Sequence, residues 1–255
     1  MPPGATSFKQ ALKRMSWTSP TTFELDGLKY LVDTDTFQYR TAAGRVVILK
    51  EPDYWRAYAR AIRALPVENV LELGIWQGGS TMAFSSLLSP VRLVAIDICE
   101  PLEEFDKIRA SHPVGRPVRV HYRTSQDDVA RLQQIIAEDF DGPLDLVIDD
   151  ASHDYFATRQ AFETIFPHVR PGGLYAIEDW GWAHARGFPL WTDRPALSNL
   201  IYQLLMVNSG RPDLISDIHV FRGVAFVRKG ARAPPGEAFD LDQLCWMQGR
   251  AYSLL

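Results

Sequence analysis

Two short acidic segments carry the residue types best suited to chemistry. The first is V-I-D-D-A-S-H-D, residues 147–154, and the second is A-I-E-D-W, residues 176–180. Both contain the end of a short apolar run of the kind that predicts a strand buried on both faces. Together they place four carboxylates at two predicted strand ends: Asp149, Asp150, Glu178 and Asp179. Because unpaired carboxylates in one cleft repel one another strongly, a cation is expected among them.

The chemistry of this acidic set favours a hard ion. Oxygen ligands suit Mg²⁺, which prefers octahedral geometry and retains waters, whereas sets rich in Cys or His would indicate zinc. Three protein oxygens would leave about three positions for water or substrate hydroxyls. An alternative stays open, in which Asp149 and Asp150 cap a helix while Glu178 and Asp179 form salt bridges with Arg186.

A glycine-rich segment, E-L-G-I-W-Q-G-G-S, occupies residues 72–80 between a predicted strand and a predicted helix. It is not a dinucleotide fingerprint, because Trp76 stands where the second glycine would be needed. Asp97 follows Gly78 by 19 residues, the distance at which an acid meets ribose hydroxyls in nucleotide-binding βαβ units. The pattern therefore predicts an adenosine-containing ligand, and the alternative is a turn that only packs a helix on a strand.

The Glu-x-Gly-x-x-x-Gly-Gly arrangement resembles motif I of the class I S-adenosylmethionine-dependent methyltransferases, over roughly residues 52–229. The resemblance implies a seven-stranded Rossmann-like sheet with an antiparallel last strand. It also implies that the glycine-rich loop embraces the methionine part of the cofactor, that Asp97 holds the ribose and that residues 124–127 meet adenine. The implied cofactor-binding residues are Glu72, Gly74, Gly78, Ser80, Asp97, Ser125, Gln126, Asp127 and Asp149.

The spacing of the acidic segments resembles that of the magnesium-dependent O-methyltransferases. Glu178 follows Asp150 by 28 residues, and His153 follows it by three. The catechol branch has a Lys where this chain has His153, so the chain is more similar to the sugar O-methyltransferases of actinobacterial secondary metabolism and mycobacterial methylmannose synthesis, relatives of the cephalosporin hydroxylase-like proteins. The resemblance implies that Asp150, Glu178 and Asp179 hold Mg²⁺ and that His153 is the general base, a role suited to an imidazole with an ordinary pKa near 6.5.

The acceptor implied by this resemblance is a hydroxyl of a small sugar or glycoside. A Trp-rich segment at residues 180–191, W-G-W-A-H-A-R-G-F-P-L-W, is predicted to bind it, because aromatic faces stack on sugar rings. Within this segment His184 is a candidate to face the acceptor. Three rival functions stay open: a catechol or other phenolic O-methyltransferase, a non-catalytic cofactor-binding partner protein and a nicotinamide dehydrogenase.

The elements that must position these residues follow an α/β pattern. Apolar runs at 69–74, 91–98, 144–150 and 173–179 alternate with predicted helices, which favours a doubly wound, mainly parallel sheet. Two β-rich runs around Arg222-Gly223 predict a closing antiparallel hairpin. We predict an N-terminal cap at residues 1–51 with short strands, a methyltransferase domain at 52–229 and a C-terminal extension at 230–255.

Composition narrows the choice of partner. The 255 residues contain 27 Lys and Arg against 31 Asp and Glu, a net charge of −4, so no basic excess is available for nucleic acid or an anionic membrane. Two cysteines are too few for a disulfide framework. With no signal peptide or apolar stretch of membrane-spanning length, the sequence favours a cytoplasmic protein. A homo-oligomer is expected from the resemblance alone.

Overall fold

The computed structural model describes residues 7–62, 66–185, 193–232, 239–245 and 253–254. The strands are β1 (Ser16–Ser19), β2 (Thr22–Leu25), β3 (Leu28–Val32), β4 (Arg45–Ile48), β5 (Asn69–Leu73), β6 (Arg92–Ile96), β7 (Val118–His121), β8 (Leu144–Asp149), β9 (Val169–Glu178), β10 (Ile215–Val220) and β11 (Val224–Lys229). The α-helices are α1 (Phe8–Ala11), α2 (Pro52–Ala61), α3 (Gly79–Leu88), α4 (Glu103–Ser111), α5 (Val129–Asp139), α6 (Tyr155–Ile165), α7 (Ser198–Gly210) and α8 (Leu241–Leu244).

Seven strands form a sheet in the order β10-β11-β9-β8-β5-β6-β7. Strand β6 pairs in parallel with both β5 and β7, β8 pairs in parallel with β9, and β11 runs antiparallel to β9 and β10. The predicted α/β class, the mainly parallel seven-stranded sheet and the antiparallel last strand are therefore confirmed. By internal contacts the described chain divides into two compact units with their boundary between Thr124 and Ser125.

In the first unit, a separate four-stranded sheet of order β1-β2-β3-β4 precedes the main strands. Strands β2 and β3 form a hairpin through Asp26 and Gly27, whose φ angles of 51° and 86° suit the tight turn that matches strand twist. Phe23 and Tyr30 stack across this hairpin with ring centroids 4.6 Å apart, and both side chains are fully buried. The short strands predicted near the N-terminus are thus present.

Strands β5 to β7 alternate with α3 and α4 in the same unit. Neither β7 nor α4 is predicted from the sequence, because V-R-V-H is short and buries only its first residue, and α4 buries only Phe105 and Ile108. Helix α3 begins at Gly79, directly against β4. A Cβ on Gly79 would lie 2.1 Å from the Val47 carbonyl oxygen, so only glycine permits this approach.

The second unit contains β8 to β11 and the helices α5 to α8. Helix α7 is absent from the sequence-based prediction, because S-N-L-I-Y-Q-L-L-M-V-N-S-G is apolar over much of its circumference and lacks helical periodicity. Phe239, from the predicted C-terminal extension, packs on Phe162 and Phe166 with centroid distances of 5.5 and 5.3 Å. The described part of the extension therefore completes the core beside α6.

Two simpler expectations concern cysteines and membranes. Cys99 and Cys245 are both free thiols. In the described ranges, no helix has the length and apolar character needed to traverse a bilayer.

Candidate active site

Two acids and a histidine converge in the second unit. The His153 Nε2 atom lies 3.9 Å from Asp150 Oδ1 and 3.9 Å from Asp179 Oδ2. One ligand atom from each of the three residues lies within 4.8 Å of the other two. Their side chains are 11%, 20% and 14% exposed, in the order His153, Asp150, Asp179, so solvent reaches them only partly. The two acidic segments of the sequence thus meet, as predicted.

Backbone geometry at strand ends brings these side chains together. Asp150 directly follows β8, and Asp179 directly follows β9, its parallel neighbour. His153 and Asp179 both have left-handed backbones, with φ of 54° and 53°, a conformation that costs a non-glycine residue roughly 1 kcal/mol or more. The Asp179 N–H donates to the Gly223 carbonyl oxygen at 2.7 Å, which holds one of these strained residues in place.

The turn between β8 and α6 carries His153. Asp154 caps α6 by accepting hydrogen bonds from the N–H groups of Phe156 and Ala157 at 2.9 and 3.1 Å. The Asp154 N–H in turn donates to Ser152 Oγ at 3.1 Å. Because Asp154 is the cap, the alternative in which Asp149 and Asp150 cap the helix is wrong, and the Asp150 carboxylate points to the cluster instead.

Trp182 covers one side of His153, with the ring centroids 4.5 Å apart. Trp180 donates from Nε1 to the Phe221 carbonyl oxygen at 2.9 Å, and His184 Nε2 lies 2.8 Å from Ser198 Oγ at the start of α7. The described part of the Trp-rich segment therefore has one aromatic face beside the acidic cluster. The remainder of that segment, residues 186–191, lies outside the described residues, as does the proposed salt-bridge partner Arg186.

Glu178 differs from the other predicted magnesium ligands. It is the last residue of β9, is 1% exposed and pairs in register with Val224. The cluster of candidate ligand atoms within the described chain contains Asp150, His153 and Asp179 but not Glu178. Its assignment to the metal stays a prediction.

Asp149, predicted to contact the cofactor, is buried within the protein. Its Oδ2 accepts a hydrogen bond from Tyr175 Oη at 2.8 Å and its Oδ1 accepts one from Gln126 Nε2 at 3.3 Å. Burial raises the pKa of Asp149 to about 7, because desolvation disfavours the charged form more than these donors favour it. The same burial, with the neighbouring carboxylate, raises the pKa of Tyr175 well above its ordinary value. Tyr175 carries no signal in the sequence beyond its place in a strand.

The predicted adenine-binding segment is divided between surface and interior. Ser125 is half-buried, Asp127 is exposed, and the Ser125 hydroxyl donates to the Asp127 carboxylate. Gln126 is buried, with 6% of its surface exposed, and it bonds within the protein. Ser125 and Asp127 thus keep side chains that a ligand could reach, and their role remains a prediction.

In the first unit, Asp97 organises the glycine-rich loop. Its Oδ2 accepts hydrogen bonds from the N–H groups of Ile75 and Trp76 at 2.8 and 3.2 Å, and its Oδ1 accepts one from Cys99 N at 2.8 Å. Trp76 has a left-handed backbone, φ 51°, and so have the loop glycines Gly74 and Gly78, at 84° and 80°. The predicted ribose-binding carboxylate therefore also braces the loop, and a carboxylate has lone pairs left for a ligand hydroxyl.

Thr41, in the N-terminal cap, hydrogen-bonds to the same loop, a contact for which the sequence carries no signal. Its hydroxyl donates to the Gln77 carbonyl oxygen at 2.7 Å, and its N–H donates to Gln77 Oε1 at 3.1 Å. Val47 N donates to the same hydroxyl at 3.0 Å. The other two predicted cofactor residues flank the loop, with Glu72 fully buried in β5 and Ser80 in the first turn of α3.

The donor set fits a hard cation better than a soft one. Asp150 and Asp179 offer carboxylate oxygens a few ångströms apart, and the cluster contains no thiolate. The loop fits a nucleotide-like ligand, since its glycines allow close approach of the backbone and an acid stands beside it. Both groups that the sequence implies are therefore compatible with the residues present.

Comparison with known proteins shows which family part of this chain resembles. The family described as "Methyltransferase domain" matches residues 71–180, the span from the glycine-rich loop to the second acidic segment. This part of the chain is therefore similar to a methyltransferase domain. The chain is 33% identical over 191 residues to demethylmacrocin O-methyltransferase of Streptomyces fradiae, covering 66% of this chain and 45% of that enzyme.

Two further comparisons agree with this similarity. Mycinamicin VI 2''-O-methyltransferase of Micromonospora griseorubida is 32% identical over 185 residues, which cover 63% of this chain and 43% of that enzyme. The solved MycE methyltransferase of the mycinamycin biosynthetic pathway, in complex with Mg, SAH and mycinamycin VI, aligns with a TM-score of 0.54 and 30% identity over 69% of this chain and 48% of that one. This chain thus spans about half the length of the relatives it matches.

Proposed function

We propose that this chain transfers a methyl group from S-adenosylmethionine to a hydroxyl of a sugar or glycoside, with Mg²⁺ bound at the acidic cluster. The observation that carries the proposal is the placement of His153 Nε2 3.9 Å from each of two carboxylates at adjacent strand ends. Relatives named as O-methyltransferases of rhamnosyl and olivosyl compounds support the choice of acceptor.

Each group in the cluster has a role that its chemistry supports. When bound, S-adenosylmethionine would supply an electrophilic methyl group and Mg²⁺ would lower the pKa of an acceptor hydroxyl. Asp150 and Asp179 would hold the cation, with Glu178 as the further predicted ligand. His153 would accept the hydroxyl proton at Nε2, which faces both carboxylates rather than bulk solvent.

Trp182 supports a sugar as the acceptor. Its indole lies against His153 and is partly exposed, so a ring that stacks on the exposed part would bring a hydroxyl toward Nε2. Aromatic faces stack favourably on apolar ring surfaces and fix their orientation. The neighbouring contact of His184 with Ser198 anchors the short turn that carries this indole.

The test is methyl transfer from labelled S-adenosylmethionine to mannosides, rhamnosides, partly methylated sugars and catechols, each with Mg²⁺ and with chelator. We expect transfer to a sugar that is lost when the chelator is added. Transfer to catechols alone would favour a phenolic O-methyltransferase. If the cofactor binds but no acceptor in the panel or among larger glycosides is methylated, the chain would be a cofactor-binding partner protein instead. Binding of a nicotinamide cofactor would revive the dehydrogenase alternative.

The domain limits and self-association stay predictions. The proposed catalytic domain at residues 52–229 can be tested by limited proteolysis of the full chain, with mass spectrometry of the stable core. Size-exclusion chromatography with light scattering measures whether the chain forms the homo-oligomer expected from its resemblance to sugar O-methyltransferases.

A further inference from the structure

Gln126 is a buried amide whose hydrogen bonds converge on the turn that carries the base. Its Oε1 accepts from the Ser152 N–H at 2.7 Å, and its Nε2 lies 3.3 Å from Asp149 Oδ1 and 3.4 Å from Thr158 Oγ1. Only 6% of the residue is exposed. It therefore connects the end of β8, the following turn and α6.

The bonding capacity of this amide is largely used inside the protein. A Gln side chain has two N–H donors and one carbonyl acceptor with two lone pairs. Asp149 and Thr158 take both donors, and Ser152 takes one lone pair. Only the remaining lone pair of a buried oxygen would be available to adenine. The hydrogen bonds of Gln126 therefore favour a role inside the protein over cofactor recognition.

The turn held by Gln126 needs such support. Ser152 precedes His153, whose backbone has the unfavourable φ of 54°, and Asp150 lies two residues before Ser152 in the same turn. The Tyr175 hydroxyl fixes Asp149 from the adjacent strand. Without a bond to Ser152 N, the turn would be free to relax and would move the imidazole relative to the Asp150 carboxylate.

We propose that Gln126 is a positioning residue, which sets the place of the His153 imidazole and the Asp150 carboxylate through the Ser152 N–H and Asp149. This inference rests on the proposed function for its catalytic consequence. It departs from the assignment of Gln126 to adenine that the sequence resemblance implies. Tyr175 acts with Gln126, since their hydrogen bonds hold the two oxygens of Asp149.

The test compares Gln126→Met, which keeps the side-chain length but removes the amide, with Gln133→Met on the exposed face of α5. The first measurement is the imidazole C–H spectrum of the protein without metal or cofactor, in which the His153 signal among the six histidines is assigned by a His153→Gln variant. We expect the His153 signal to shift or broaden in Gln126→Met and to stay unchanged in Gln133→Met. This measurement tests the position of His153 whether or not the proposed methyl transfer is correct.

Two binding measurements separate positioning from cofactor contact. With Mn²⁺ as a paramagnetic probe of the acidic cluster, we expect Gln126→Met to weaken metal binding by about 10- to 100-fold. The Kd for S-adenosylhomocysteine should stay within about twofold of the wild-type value, while kcat falls by about 10- to 100-fold at saturating cofactor. If the Kd for S-adenosylhomocysteine rises while the His153 signal does not move, the proposal is overturned and Gln126 contacts the cofactor.

If Gln126→Met does not fold, a second pair of variants tests the same proposal. Gln126→Asn keeps the amide on a shorter side chain, and Tyr175→Phe removes only the hydroxyl bonded to Asp149 Oδ2. We expect each to move the His153 signal in the same direction by a smaller amount. Unmoved signals in both folded variants would contradict the positioning role.

Discussion

His153 lies between two carboxylates without a direct hydrogen bond to either. Separations of 3.9 Å to Asp150 and Asp179 are longer than a hydrogen bond, which normally spans about 2.7–3.2 Å. At that spacing, an acceptor oxygen or a water placed to one side of the pair would be within hydrogen-bond reach of both the imidazole and a carboxylate. The cluster is therefore arranged to receive a group, and its two strained backbones at His153 and Asp179 are the expected cost of aiming side chains at one point.

Removal of the imidazole should separate catalysis from binding. In His153→Ala we expect kcat to fall by about 10²- to 10⁴-fold, the usual contribution of a positioned general base. The Kd for S-adenosylhomocysteine, measured by calorimetry, should stay nearly unchanged. His219→Ala, at an exposed histidine, is the matched control. Wild-type turnover in His153→Ala would exclude this residue as the base.

Neutralising one carboxylate should weaken the metal site. In Asp179→Asn, which keeps the side-chain size, we expect Mg²⁺ affinity to fall at least about tenfold. The rise in Tm that a bound ligand produces should shrink accordingly. Without Mg²⁺ the variant should be no less stable than wild type, because two nearby carboxylates repel each other. Asp35→Asn, at an exposed acid, is the control, and an identical Mg²⁺ titration in both variants would remove Asp179 from the ligand set.

At the scale of elements, the glycine-rich loop between β5 and α3 is held from two sides. Asp97 accepts two N–H groups of the loop, and Thr41 from the N-terminal cap bonds to both the backbone and the side chain of Gln77. A loop with three left-handed residues, Gly74, Trp76 and Gly78, would otherwise sample many conformations. Fixing it before the ligand arrives reduces the entropy lost on binding.

The contact between the N-terminal cap and the loop should therefore increase the affinity for the cofactor. In Thr41→Val, which removes one hydroxyl with little change of shape, we expect the Kd for S-adenosylhomocysteine to rise about 3- to 10-fold, the equivalent of one lost hydrogen bond. Thr41→Ser should restore the wild-type value, and Thr18→Val on exposed β1 should not change it. Circular dichroism checks that the fold is retained. An unaltered Kd in Thr41→Val would show that the cap does not prepare the loop.

At the scale of the whole molecule, one buried charge affects stability and is not part of the acidic cluster. Lys229, at the end of β11, is 2% exposed, and its Nζ donates to the carbonyl oxygens of Phe166 and Pro167 at 2.6 and 3.2 Å. Burial lowers the pKa of Lys229 to about 8 from an ordinary value near 10.5, because the ammonium loses its hydration.

This shift makes stability depend on pH. Between about pH 8 and pH 10.5 the unfolded chain binds the Lys229 proton more tightly than the folded chain, so the contribution of this residue to the free energy of unfolding increases with pH. Below pH 8 the buried ammonium lowers the free energy of unfolding by its full amount, on the order of 1–3 kcal/mol. Lys229→Met should abolish the increase. Denaturant unfolding of both proteins at pH 7.5, 8.5, 9.5 and 10.5 measures the difference, and parallel curves would contradict the lowered pKa.

Much of the proposed site can be predicted from the sequence, because it depends on strands, turns and helices that are local along the chain. Apolar runs predict β5, β6, β8 and β9, and the order of strands and helices predicts a parallel sheet whose carboxyl ends collect ligand-binding residues. Asp150 and Asp179 therefore meet as expected. The glycine-rich loop and its partner Asp97 are also predicted from spacing alone, since a strand, a turn and a helix form a local unit.

Only the tertiary structure determines which polar residues hydrogen-bond to one another. Gln126 and Asp149 are 23 residues apart, Gln126 and Ser152 are 26 apart, and Thr41 and Gln77 are 36 apart. Hydrogen-bond partners of this kind depend on the packing of whole elements, and periodicity carries no signal for them. The same packing buries Asp149 and Glu178 while it leaves Asp150 partly exposed. The sequence therefore predicts which acids lie at the strand ends, but not which of them are buried and which can reach a ligand.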